Sequence, residues 1–376
     1  MAKRFDVIVI GVGGMGSAAV YHAARRGQRV LGLERFDIPH TMGSSHGITR
    51  IIRLAYHEHP SYVPLLRRAY ELWRELQALA GEQLLYITGS LDAGTAGTGI
   101  VERSRQSCDL HGLPYDLLTG TALSQRFPGF RLPGDAQALF QPNGGFLLPE
   151  RCIVAHTTAA EALGAEVHRR EQVLAWEPMR DGVRVRTGKD TYEADHLIVT
   201  AGAWAARLLP WLHDLAVPER QVLGWFEPRR PVLFGPDRFP VFILEVDEGL
   251  YYGLPVYGVP GVKIGRYHHL GEQVDPDTLD RQPNQQDEAL LRDFTARYLP
   301  DAAGPTSDLK TCMFTNSPDG HFIIDVDRDY PQVSFGAGFS GHGFKFCSVV
   351  GEILADLALQ GETRHDTSLF RLARFE

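Results

Sequence analysis

The chain has 376 residues, 44% of them hydrophobic, and a formal net charge of −8. That supplies about two domains with substantial cores and excludes a disordered chain. The acidic balance, with no long run of either sign, excludes an evident surface for nucleic acid or anionic lipid, and no apolar run reaches the roughly 18 residues of a membrane span.

The first 34 residues carry the strongest pattern. An apolar run, Phe5 to Ile10, feeds into Gly11-Val12-Gly13-Gly14-Met15-Gly16. A helical segment follows, and a second apolar run, Val30 to Leu33, ends in Glu34. This is the order of a dinucleotide-binding βαβ unit. Gly11 permits the tight turn, Gly13 lets a pyrophosphate approach the backbone, and Gly16 lets helix and strand pack. The helix start suits an anion. Glu34 is placed to accept hydrogen bonds from both ribose hydroxyls and would repel a 2′-phosphate, which disfavours NADP.

Ser61 is expected to cap a long amphipathic helix whose stripe is Leu65, Leu66, Ala69, Leu72, Trp73, Leu76 and Leu79, ended by Gly81. Residues 86–145, rich in Gly and Pro, read as a β-rich insertion. A helix is expected from Arg151 to Leu163, then a hairpin from Val183 to Tyr192 turning at Gly188-Lys189-Asp190. Leu197 to Trp204 reads as a buried strand running into glycine and returning to the nucleotide sheet. Alternating strands with aromatic residues fill 221–320 and predict an antiparallel sheet with one face lining a pocket. A last strand, Val333 to Phe335, leads through a glycine-rich turn into a helix bearing Phe346, Val349, Val350, Ile353, Leu354 and Leu357. The expected class is α/β (α+β), with a Rossmann-like domain and an antiparallel-sheet domain, discontinuous in sequence. Residues 1–84, 146–220 and 321–376 form the first, 85–145 and 221–320 the second.

Several residues carry two readings. His46, Arg50 and Arg53 sit close together among apolar neighbours, where arginine is costly to bury without an anion. They contact cofactor and substrate carboxylate, or they make ordinary ion pairs, which sequence alone favours. Lys345, between Phe344 and Phe346 at the start of the last helix, grips a carboxylate or snorkels at the surface. Lys263 alternates with Val262 and Ile264, and solvent is the favoured side for it. The four cysteines, Cys108, Cys152, Cys312 and Cys347, form no CxxC pair, so neither a disulfide framework nor a metal site is expected. Nothing local marks Cys312 as reactive, and His268, His269 and Tyr252 are unremarkable alone.

Together these pieces resemble the monomeric sarcosine oxidase and N-methyltryptophan oxidase family of flavoproteins. The anchors are FDVIVIGVGGMGSAA, FDIPHTMGSSHGITRIIRLAY, LIVTAGAW, YYGLP, KIGRYHH, CMFTNSPDGHFIID and GFSGHGFKF. The resemblance implies FAD held covalently by a thioether from Cys312. It implies cofactor contacts from Gly11, Gly13, Gly14, Met15, Gly16, Glu34, Arg35, Ser44, His46, Arg50, Val173, Ala201, Gly202, Trp204, Gly338, Gly341, Gly343, Phe344 and Lys345. Arg53, Lys345 and Tyr252 are then substrate-binding, and Lys263, Arg50, His46, Tyr252 and His268 catalytic, with Lys263 near flavin N5 through water and associated with oxygen activation. Phe314 stands where sarcosine oxidases commonly carry tyrosine, and Ile243 where some members carry methionine. Arg266-Tyr267-His268-His269 reads one residue longer than usual, which leaves open which histidine faces the pocket.

The expected activity is oxidative demethylation of an N-methyl amino acid, with sarcosine and O2 first, giving glycine, formaldehyde and hydrogen peroxide. The alternatives are a bulkier or cyclic secondary amino acid, a sugar-amine adduct and, remotely, an NAD-dependent dehydrogenase. The chain begins Met-Ala-Lys-Arg with no signal peptide, and a cytoplasmic monomer without nucleic-acid or membrane partners is expected.

Overall fold

The computed structural model describes residues 3–95 and 97–376. Met1 and Ala2, part of the reading of the N-terminus, lie outside the described residues, as does Ala96.

Strand Lys3–Ile10 is the centre of an eight-stranded sheet. It pairs in parallel with Val30–Leu33 on one side and Thr191–Val199 on the other. Glu166–His168 and Val333–Ala337 extend the parallel run at either flank, and Ile323–Val326 adds an antiparallel edge. The hairpin of Val173–Met179 and Gly182–Thr187 forks away from the first half of Thr191–Val199. Strands buried on both faces explain the unbroken apolar runs read at 5–10 and 197–199. Helices Gly14–Arg25, Pro149–Ala162 and Cys347–Gln360 pack on this sheet and on one another.

The second sheet also has eight strands, in the order 306–316, 217–226, 262–266, 249–254, 241–246, 90–94, 137–141, 116–119. All its pairings are antiparallel except Ser90–Gly94 with Val241–Val246. A small third sheet joins Arg50–Ile52 and Leu85–Ile87 to Gly145–Leu147.

Three expectations need correction. The helix at Tyr62–Ala80 forms and Gly81 ends it at φ 67°, but Ser61 has helical dihedrals and makes no capping bond, and Leu79 is exposed. Residues 86–145 also hold the helices Ile100–His111 and Gly120–Arg126. The stretch 221–320 contains helix Gln285–Tyr298, which covers the outer face of the second sheet. Its start was legible: Asn284 accepts from the Gln286 and Asp287 N–H groups, and the Asp287 side chain accepts from the Asn284 N–H. Among the described residues no helix is long and apolar enough to cross a membrane.

Candidate active site

The two large sheets enclose one cavity of about 420 Å³, running from the glycine turn to Arg53 and Lys345. At the nucleotide end, Gly11 turns at φ 87°, where a Cβ would meet the Thr200 carbonyl oxygen at 2.6 Å. A Cβ on Gly16 would lie 1.8 Å from the Gly11 carbonyl oxygen, so Gly16 sits behind the cavity wall and lets helix meet strand. Gly13 has open space where its Cβ would be. Glu34 is buried and accepts from the N–H groups of Val12 and Phe36, both at 2.9 Å. Burial pushes its carboxyl above the usual range, against those two bonds. Arg35 donates to Asp277 at 2.6 Å, and Trp204 Nε1 donates to the same carboxylate at 2.8 Å. Gly14, Met15, Val173, Ala201 and Gly202 line the same end.

Further in, strand Thr306–Asn316 brings Cys312 to the wall beside Ser44 and Arg50. Arg50 Nη2 lies 3.5 Å from Cys312 Sγ and donates to the Ser44 carbonyl at 3.0 Å. Lys263 faces this cavity and is 1% exposed, not the solvent-facing residue that sequence favoured. The alternation with Val262 and Ile264 holds, but the outer face is itself covered by helix Gln285–Tyr298, so neither face of that strand meets water. Lys263 Nζ donates to the Gly47 and Thr49 carbonyls at 2.8 and 2.6 Å. Burial, then Arg50, pushes its pKa well below the usual lysine range. His46 is buried just outside the lining, with neither ring nitrogen partnered. Burial and the Arg50 charge lower its pKa to about 3, so it is neutral.

At the far end Arg53 and Lys345 line the same cavity, from the loop after Arg50–Ile52 and from the 3-10 turn Phe344–Phe346. Arg53 is 1% exposed, donates to both oxygens of Glu58 at 2.9 and 2.7 Å, and lies over the Tyr56 ring at 4.5 Å. Burial opposes its charge, yet Glu58 and Asp92 raise its pKa. Lys345 Nζ donates to the His342 carbonyl at 2.7 Å. Burial, then Arg53, lowers its pKa to about 7. Ile243, Tyr252, Tyr267 and Phe314 wall the space, with Tyr267 ring centroids 5.4 Å from Tyr252 and 5.7 Å from Phe314. Gly338, Gly341, Gly343 and Phe344 complete the lining.

His268 is a correction. Its backbone turns at φ 58°, its side chain is 61% exposed, and Nδ1 meets Glu219 at 3.1 Å outside the cavity. His269 points instead to Asp287, 2.9 Å away. Tyr267 is the residue of that stretch that reaches the pocket. Glu58 and Asp92 were also missed; a lone acid inside Leu91-Asp92-Ala93 was the signal, since a charge among apolar residues needs a partner.

These residues fit FAD. The open side of Gly13 and the helix start behind it form a cradle for a pyrophosphate, and Glu34 is the acid such a ribose needs. Gln221 Oε1 and Thr315 Oγ1 line the cavity with no hydrogen-bond partner of their own.

The family described as FAD dependent oxidoreductase matches residues 6–357. A monomeric sarcosine oxidase from Bacillus sp. (strain NS-129) is 44% identical, with 100% of this chain and 98% of the relative aligned. An N-methyl-L-tryptophan oxidase from Yersinia pestis (strain Pestoides F) is 35% identical, covering 99% of each. The open form of NikD, an amino acid oxidase essential for nikkomycin biosynthesis, superposes at a TM-score of 0.85 with 27% identity, over 98% of this chain and 97% of NikD. The chain therefore belongs to the FAD dependent oxidoreductase family and, within it, to the amine oxidases grouped with monomeric sarcosine oxidase and N-methyltryptophan oxidase.

Proposed function

We propose that the protein is an oxidase of N-methyl amino acids, with sarcosine as the first substrate: sarcosine, O2 and water give glycine, formaldehyde and hydrogen peroxide. The observation that carries this reading is that one cavity joins the glycine cradle to Lys263 and Cys312 and ends at two buried cations, Arg53 and Lys345. FAD, when bound, supplies the two-electron chemistry that takes electrons from the N-methyl carbon and delivers them to O2.

Arg53 and Lys345 bind the substrate's carboxylate, which fixes the amine end toward Cys312 and Lys263. The acids lining the cavity, Glu34, Glu171 and Asp277, belong to its nucleotide end. No lining carboxylate is therefore placed to hold the amine as an ammonium, and the neutral amine is the form that reacts. Lys263, held by two carbonyls, stabilises negative charge as it develops on oxygen. Cys312, with the Arg50 guanidinium beside its sulfur, is the attachment point for the cofactor. His46 and Arg50 shape the ring's surroundings. This reading keeps the division into an FAD-binding part (1–84, 146–220 and 321–376) and a catalytic part (85–145 and 221–320), acting as a monomer.

Four apolar or aromatic walls, Ile243, Tyr252, Tyr267 and Phe314, also suit a larger secondary amine. Oxygen consumption with sarcosine, N-methyltryptophan, proline and pipecolate tests both readings. Sarcosine is expected to have the highest kcat/KM. A preference for pipecolate or N-methyltryptophan replaces it with the larger class, and no peroxide from any of the four sinks the function.

A further inference from the structure

This inference rests on the reading of Arg53 as the group that receives a carboxylate. Arg53 already has two anions. Besides its paired bonds to Glu58, its Nη1 stands 3.7 Å from Asp92 Oδ2. Asp92 is 2% exposed and lies in register with Ile243, one strand beyond the cavity wall. Ser104 Oγ donates to it, and its Oδ1 has no partner. His57, 7% exposed at its side chain, is wedged between the two acids. Its Nδ1 is 3.6 Å from Glu58 Oε2 and 3.7 Å from Asp92 Oδ2, beyond hydrogen-bond reach of either, and has no partner.

Lys345 faces Arg53, Glu58 and Asp92. His342 faces Glu58, and its ring nitrogens are taken by Tyr56 Oη and the Gly320 carbonyl. Tyr56 and Tyr267 face Arg53 and Glu58, Tyr62 and His321 face Glu58, Tyr70 faces Arg53, and Tyr267 and Cys108 face Asp92. With Lys345 charged, two cations stand against two carboxylates. A third carboxylate leaves the buried cluster one positive charge short, and such a deficit is costly away from water.

We propose that Asp92 makes carboxylate capture proton-coupled: it cancels charge on Arg53 in advance, and the arriving carboxylate is balanced by a proton taken from solvent onto His57. Asp92 and His57 are thus positioning residues, acting through Arg53.

The test is calorimetric titration of the flavin-loaded enzyme with acetate, a carboxylate that carries no amine to oxidise. It is run at about pH 8 in buffers of different ionisation enthalpy, which counts protons taken up. The wild type is expected to take up protons. His57→Asn is expected to take up markedly fewer. Asp92→Asn is expected to bind acetate about tenfold more tightly. Lys345 faces Asp92, so its own uptake changes in Asp92→Asn; wild type against His57→Asn therefore carries the proton count, and Asp92→Asn carries the affinity. A residue that merely braced Arg53 would weaken binding when altered, the opposite sign. Equal uptake in wild type and His57→Asn overturns the coupling while leaving the carboxylate site standing. Failure of acetate to bind the wild type at all overturns both.

Discussion

Lys263 is a buried amine held by two backbone carbonyls and, at 3.5 Å, the Thr49 hydroxyl, with no carboxylate paired to it among the described residues. Its charge is disfavoured at rest, so it gains most when negative charge appears beside it. Lys263→Met is expected to slow reoxidation of the reduced enzyme by O2 about 100-fold, as removal of one preorganised donor does elsewhere. Stopped-flow absorbance measures this, and reoxidation at the wild-type rate removes the role. Lys345 gives a pH dependence. Its pKa near 7 in the free protein rises when a carboxylate binds, because the anion favours the ammonium. Acetate affinity is therefore greatest below pH 7 and falls as pH rises above it, by up to about tenfold per unit for each proton coupled. Lys345→Met should flatten that slope, and an unchanged slope would exclude Lys345 as a contributor. The sequence exposed these lysines as candidates but not their surroundings. Sheet alternation gave Lys263 a face, and only the helix covering the far face shows that neither side is wet.

The turn from strand Lys3–Ile10 into helix Gly14–Arg25 was readable because each glycine answers a local demand within a few residues. Gly13 differs from its neighbours: its φ of −78° suits any residue, and its missing side chain abuts empty space. In a Cys312→Ser background, where flavin exchanges freely, Gly13→Ala should therefore fold with an unchanged circular dichroism spectrum yet lose FAD affinity by about tenfold. Flavin content after refolding equal to that of Cys312→Ser alone would show that the methyl group obstructs nothing. Helix Gln285–Tyr298 marks the limit of local reading. Its Asn284–Asp287 capping box is plain in the sequence, but its apolar face is short and its neighbours alternate like strands. His268 shows the same limit in a loop, since two consecutive positive φ values, 58° and 29°, at His268 and His269 turn both rings away from the pocket. No residue pattern announced that turn.

Across the whole molecule, the cavity is bounded by both large sheets, with the glycine turn on one and Cys312 on the edge strand of the other. A cofactor lying between them would stabilise the two together, and the proposed sulfur link at Cys312 would prevent its loss. Acid-precipitated wild type should stay yellow, whereas Cys312→Ser should release its flavin into the supernatant. Stripping that variant of flavin should lower Tm by roughly 5 °C in scanning calorimetry. Colour lost from the wild-type pellet would exclude the link.

Ile243, Tyr252 and Lys263 project from three neighbouring strands of the second sheet, and Cys312 and Phe314 from its edge strand. Arg53 and Lys345 are anchored elsewhere, on a loop and a 3-10 turn. On the proposed function, the wall above the reacting carbon would thus be tiled independently of the hook that holds the acid group. Retailoring such an enzyme for a different amine asks only for new tiles at positions 243, 252 and 314, while the frame behind them and the hook beside them stay as they are.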